Sequence, residues 1–151
     1  MDKSIGRMIT LLSRKCQSYL GRELSKYNLT VAEQPFFMAL QRCEGVTQEE
    51  LTAMVCVDKS ATARAVKSLE EKGFLIREQD PSNRRQNRLY PTDQAKRMGQ
   101  DVRKELLRFN DFMIQGIPSK TADEIYAALQ IMDENLEEIL HGQAPKQSEE
   151  G

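Results

Sequence analysis

The chain has 151 residues, 39% hydrophobic and 30% charged, with 22 Lys+Arg against 23 Asp+Glu and a formal net charge of −1. That is enough for one domain with a real core. No apolar run approaches the roughly 20 residues that cross a bilayer, so no membrane partner is expected, and near-neutrality excludes a molecule drawn to polyanions over its whole surface. Cys16, Cys43 and Cys56 form an odd set with no CxxC spacing, which points to reduced thiols and a cytoplasmic protein. The N-terminus has no apolar stretch followed by a cleavage site, so no secretory leader is expected. His141 is the one histidine and glycine-rich phosphate loops are absent. Acid–base catalysis, a metal site and a cofactor are therefore not expected, and the chain does not read as an enzyme.

In chain order, residues 4–26 predict an amphipathic helix, with Ile5, Met8, Ile9, Leu12, Cys16, Tyr19, Leu20 and Leu24 on one stripe. "NLT" breaks it. Thr30 and Glu33 have capping-box spacing for a second helix to about Cys43, with Pro35 awkwardly placed in its entry. Thr47 and Glu50 form a second such box, opening a short helix "QEELTAMV". Asp58 is the expected N-cap of the next helix and Gly73 its stop. Two helices across so short a turn have the helix-turn-helix outline. "FLIRE", "DPSNRR" and "QNRLY" then read as strand, turn and strand. Thr92 caps a long helix over 93–115, "GIPS" breaks it, and a last helix covers 120–141, with Ile125, Leu129, Leu136 and Ile139 on its stripe. The fold class is mainly α with a small β-hairpin wing, a winged helix-turn-helix at about 30–92. Long flanking helices at 4–26 and 93–141 precede a flexible tail, 142–151, and the whole reads as one domain.

Charge is uneven within this plan. Residues 56–91 carry eight Lys/Arg against five acids, leaving 14 basic against 18 acidic elsewhere. In "DKSATARAVKSLEEK", Thr62, Ala65, Val66 and Leu69 fall on one side and pack on the preceding helix. Ser60, Arg64, Lys67 and Ser68 fall on another, with Ala61 beside them and Lys59 at the N-terminal end. A small, basic face with no carboxylate before Glu70 suits a nucleic-acid groove, where Arg64 and Lys67 supply phosphate or guanine contacts.

The run "TQEELTAMVCVDKSATARAVKSLEEKGFLIREQDPSNRRQNRLYPTDQAKR", from Thr47 to Arg97, resembles the MarR family of bacterial transcriptional regulators. The matching landmarks are the "eLa" helix, the "vdkst…r" helix start, "LekkGli", an acidic-x-Arg wing and an "LT…G" helix start. The resemblance implies a duplex-DNA-binding regulator. Arg85 would enter the minor groove, and Arg84 and Arg88 would bind backbone phosphate. Ser60, Ala61, Arg64 and Lys67 would lie in or beside the major groove, and Thr47 and Gln48 would touch phosphate. Two positions depart from the pattern. Asn83 replaces the wing Asp, so the charged clamp at that position is expected to be missing, with Asn83 still able to hydrogen-bond the arginine or a backbone amide. Pro91-Thr92 and Ala95 replace Leu-Thr and Gly.

The resemblance also implies a homodimer on a pseudo-palindromic operator, joined through the first and last helices, and a ligand-responsive repressor. A small aromatic or phenolic effector is the expected class. Met8, Met38, Met54, Met98, Met113 and Met132 are candidates to line its pocket, or are core filler. Three alternatives stand beside this reading: redox sensing through Cys16, a winged-helix module binding protein or RNA, and flanking helices that close a monomeric bundle.

Overall fold

The computed structural model describes residues 3–142. The chain divides into two compact units, Met1–Phe109 and Asn110–Gly151. In the first, α1 spans Ile5–Ser25, and Ser4 caps it by accepting the Arg7 N–H at 3.2 Å. Asn28 ends this segment in the left-handed region (φ 56°), which asparagine tolerates because its short side chain bonds locally. The C-terminal part of α1 reaches the core, through the fully buried Leu24 and the partly buried Leu20, while Ile5, Met8, Ile9 and Leu12 are exposed.

The Thr30–Glu33 box forms, with Thr30 N–H donating to Glu33 Oε2 at 3.0 Å and Glu33 N–H to Thr30 Oγ1 at 3.2 Å. It caps a separate turn, however, and α2 runs Gln34–Arg42. Pro35 therefore occupies the first helical turn, where its missing N–H costs nothing, and the awkward entry expected from the sequence does not arise. α2 buries Phe36, Phe37, Ala39 and Leu40, and the Phe37 ring meets Phe74 edge-on at 6.0 Å. α3, Gln48–Val55, has the complete Thr47/Glu50 box. α4, Lys59–Glu71, starts on Asp58, whose carboxylate accepts the Ala61 N–H at 2.7 Å. At its far end Gly73 takes φ +77°, and the Phe74 N–H reaches back to Leu69 O at 2.9 Å.

β1 (Leu75–Asp80) pairs antiparallel with β2 (Asn83–Pro91). β2 also bonds on its other edge to the segment before α3, Gly45 N–H to Leu89 O and Leu89 N–H to Val46 O, both at 2.8 Å. The sequence reading missed this third strand-like segment. α5, Asp93–Ile114, begins on Thr92, which accepts the Ala95 N–H at 3.2 Å and donates to Gly73 O at 2.7 Å, so the exit of α4 and the entry of α5 are tied together. Gly99 lets α5 approach α2: a Cβ there would stand 2.5 Å from Gln41 Oε1.

In the second unit, α6 spans Ser119–Leu140 and buries no residue; Ile125, Leu129, Leu136, Ile139 and Leu140 are all exposed. Apart from Gly142, the expected flexible tail lies outside the described residues. Among the described residues no helix is long and apolar enough to cross a membrane.

A buried carboxylate ties α4 to the turn before α2. Glu33 is 4% exposed. Oε2 accepts from Lys72 Nζ at 2.7 Å, and Oε1 accepts a short hydrogen bond from Ser68 Oγ. Lys72 Nζ also donates to Asn28 O at 2.9 Å. Burial raises the Glu33 carboxyl pKa, but the bonds from Lys72, Ser68 and the Thr30 N–H outweigh it and leave the carboxyl below its ordinary value.

A carboxylate held below its unfolded pKa stabilises the fold above that pKa and ceases to do so as pH falls through the folded value. Glu33→Gln is expected to unfold more readily at pH 7, by about 1–3 kcal/mol, because half-buried Lys72 loses its charged partner. The gap from wild type should close as pH drops below the ordinary 4.5, as followed by denaturant midpoints across pH. Gly45→Ala, forced to φ +80° with its methyl 3.3 Å from the Tyr90 ring, should lose about 1–2 kcal/mol in the same assay.

Candidate nucleic-acid interface

α4 is seated by its buried side. Thr62, Ala65, Val66 and Leu69 face the core, and Thr52 Oγ1 on α3 donates to Thr62 Oγ1 at 2.9 Å, which fixes the two helices to each other. What remains outside is Lys59, Ser60, Ala63, Arg64 and Lys67, all exposed, with the acids Glu70 and Glu71 exposed at the far end. Two details correct the sequence reading. Ser68 does not belong to the outer face, because it is half-buried on Glu33. Ala63 does belong to it, one methyl group between the turns that carry Ser60 and Lys67, whereas Ala61 is half-buried at its edge. The helical period puts 60, 63, 64 and 67 on one stripe, so Ala63 was legible and was passed over for want of a polar atom.

At the start of α3, Thr47 is 9% exposed. Its hydroxyl accepts the Glu50 N–H, and its own N–H is taken by the Glu50 carboxylate. Gln48 is half-buried beside it.

The hairpin differs from its sequence-predicted form. The turn is Pro81-Ser82 alone, because Asp80 Oδ1 accepts both the Ser82 N–H at 2.9 Å and its hydroxyl at 2.8 Å. Pairing passes from Gln79↔Asn87 directly to Asp80↔Asn83, so Arg84, Arg85 and Gln86 form a bulge of β2 with no opposite residue on β1. The bulge is held at its backbone: Gln79 Nε2 donates to Arg84 O at 2.7 Å, and Asn83 Oδ1 accepts the Arg85 N–H at 3.2 Å. Both arginine side chains project from a fixed backbone and are exposed.

Asn83 forms no charged clamp with Arg85 and accepts its backbone N–H instead; a separate ion pair, not expected from the sequence, braces the wing. Asp80, 4% exposed, accepts from Arg88 Nε at 2.9 Å, and Arg88 Nη1 donates to Gly45 O at 2.7 Å. Hydrogen bonds from Ser82, together with the Arg88 charge, hold the Asp80 carboxyl below its ordinary pKa despite burial. Arg88, expected at a phosphate, thus joins both strands of the wing to the segment before α3. The missed residues Asp80 and Gly45 were read only as turn signals, since the pairing brings Asp80 to Arg88 across a register that the sequence does not display.

The cations of this module fall into two sets. Lys72, Arg77 and Arg88 are paired with Glu33, Glu70 and Asp80. Lys59, Arg64, Lys67, Arg84 and Arg85 form no ion pair among the described residues and are exposed.

Two cavities lie nearby. One of about 730 Å³ opens between α2 and α5 against Met38, Gln41, Arg42, Arg103, Leu106 and Leu107. The other, about 410 Å³, lies along α4 against Phe36, Val57, Ala61 and Arg64. Of the six methionines considered for a pocket, only Met38 lines either cavity, and Met8, Met54 and Met113 are exposed. No disulfide joins the cysteines; Cys16 is half-buried, and Cys43 and Cys56 are exposed. Among the described residues no group of three or more His, Cys, Asp or Glu side chains could hold a metal ion.

A helix-turn-helix followed by a hairpin on the same basic module defines a winged-helix DNA-binding protein. Residues 37–86 match the model of the MarR family. A MarR transcriptional regulator of Methanosarcina mazei Go1 is 32% identical, with a TM-score of 0.78 over 89% of this chain and 97% of that one. The HTH-type regulator YybA of Bacillus subtilis (strain 168), itself uncharacterized, is 28% identical over 131 residues, 87% of each chain. A MarR-family regulator of Listeria monocytogenes, solved with a 26mer DNA, shares the fold at 23% identity, with a TM-score of 0.81 over 95% of this chain and 98% of that one. The chain belongs to the MarR family and is a transcriptional regulator rather than an enzyme.

Asp80→Ala is expected to release the bulged strand. Amides 83–88 should exchange faster with solvent than in wild type, while those of α3 and α4 keep their protection.

Proposed function

We propose that the protein is a homodimeric, ligand-responsive repressor that occupies a pseudo-palindromic operator in the cytoplasm. The observation that carries this reading is the division of the cations. Every paired cation of the module braces α4 or the wing, and the five without ion pairs stand on the outer face of α4 and on the bulge of β2. Lys59, Ser60, Ala61, Arg64 and Lys67 address a major groove, Arg85 the adjacent minor groove, and Arg84 the backbone. Asn83 and Arg88 support the wing, with Arg88 turned inward by Asp80. Gln48 is the better placed of the α3 pair for a phosphate, since Thr47 is nearly buried. The Listeria relative solved with DNA supports duplex DNA as the partner.

The whole chain acts as one MarR-like domain, with 4–26 and 93–141 as dimerisation helices. The exposed apolar residues of α1 and α6 support this, because monomers seldom leave such stripes in water. Two-fold symmetry then presents two copies of α4 to successive major grooves. A small aromatic or phenolic effector is the class of inducer; the cavity of about 730 Å³ between α2 and α5 is of the size that takes one.

The test is fluorescence anisotropy with duplexes tiling the DNA beside the gene, across salt, with sedimentation to give the stoichiometry. One fragment should bind as a dimer complex, salt-sensitively. Arg85→Ala should weaken it about tenfold or more, and Arg84→Ala should lower the salt slope by about 0.9 for its phosphate. Salt-insensitive binding, or preference for single strands, would instead favour a protein or RNA partner.

A further inference from the structure

We infer that Glu33 is a positioning residue for sequence reading, setting the pose of α4 without touching DNA; this rests on α4 being the helix that reads the duplex. Lys72 and Ser68 lie on the C-terminal half of α4 and its cap, and both donate to the one carboxylate, Lys72 to Oε2 at 2.7 Å and Ser68 to Oε1. The carboxylate is itself fixed from the other side by the Thr30 N–H at 3.0 Å. Lys72 extends the contact to Asn28 O at 2.9 Å, just beyond the end of α1. Three donors from two separate stretches of chain therefore converge on one buried acid.

The position along α4 gives the contact its consequence. Ser68 follows Lys67 directly and lies one turn after Arg64, so the bond from Ser68 to Glu33 fixes the rotation of the helix about its own axis at the exposed basic residues. Apolar packing of Val66 and Leu69 fixes depth but tolerates small rotations, because dispersion contacts are not directional. A charged hydrogen bond has a narrow angular range. Base-edge contacts need that rotation held, whereas phosphate contacts are less demanding.

Electrostatics and positioning predict opposite signs, which makes the inference testable in the full-length protein. Glu33→Gln removes a negative charge near the DNA face, so simple charge attraction predicts tighter binding to any duplex. A positioning role predicts that binding to the specific operator weakens, by about tenfold, with binding to random duplex of equal length unchanged or slightly tighter. The experiment measures both constants for wild type, Glu33→Gln, Lys72→Met and Lys72→Arg at one salt concentration and at a temperature where each is folded by circular dichroism. Lys72→Met should lose discrimination and Lys72→Arg should largely restore it, whereas a purely structural role would move the melting temperature and leave the ratio of the two constants alone. If Glu33→Gln does not fold, Ser68→Ala, which removes one donor and no charge, should show the same loss at smaller size. A folded Glu33→Gln that discriminates as well as wild type overturns the inference and leaves the operator reading standing. Wild type that binds no duplex even at low salt overturns both.

Discussion

The pose of α4 depends on a buried carboxylate. Glu33 carries a charge in a nearly fully buried position, and it is satisfied there by Lys72, Ser68 and the Thr30 backbone. Such a pair adds little net stability over an apolar replacement, since desolvation cancels most of the attraction, yet it is costly to break once built. What it supplies is direction. The turn after α1, the entry of α2 and the exit of α4 are fixed with respect to one another by bonds of defined geometry.

The same division between bracing and reaching governs the wing. Asp80 organises the turn through Ser82 and the strand through Arg88, and Arg88 carries the connection to Gly45. With the flanks held, three residues of β2 stand out as a bulge, and two of them are the exposed arginines. A bulge is what allows neighbouring cations to project from a hairpin whose strands otherwise alternate their side chains between two faces. Three acids near these cations, Glu33, Glu70 and Asp80, are each already engaged by another base.

Outside this module the helices are less complete. α1 buries Leu24 at its end and stacks Tyr19 on Phe109, with ring centroids 5.4 Å apart. Its first three turns carry apolar residues into solvent, and α6 buries none of its own. The physical demand of those stripes is for more apolar surface than either unit supplies within itself.

The sequence by itself determined the elements and their order. Capping residues, Gly73 and the helical period marked most helix ends within a residue or two, because these are local properties of backbone hydrogen bonding; the exception is the start of α2, at Gln34 rather than just after Thr30. It also determined that basic residues gather on α4 and the hairpin, and the MarR resemblance gave these a function. Tertiary structure alone decided which of those cations are available. Arg88 and Arg84 look alike in the sequence, yet only Arg88 meets a buried acid, and Ser68 looks like a face residue until Glu33 is seen beneath it. Asn83 implied the loss of one charged clamp, and that clamp is absent, but the separate brace of Asp80 on Arg88 was not legible because it depends on strand pairing. Pairing between residues 8 to 39 positions apart depends on register and helix crossing, and neither is written in local spacing.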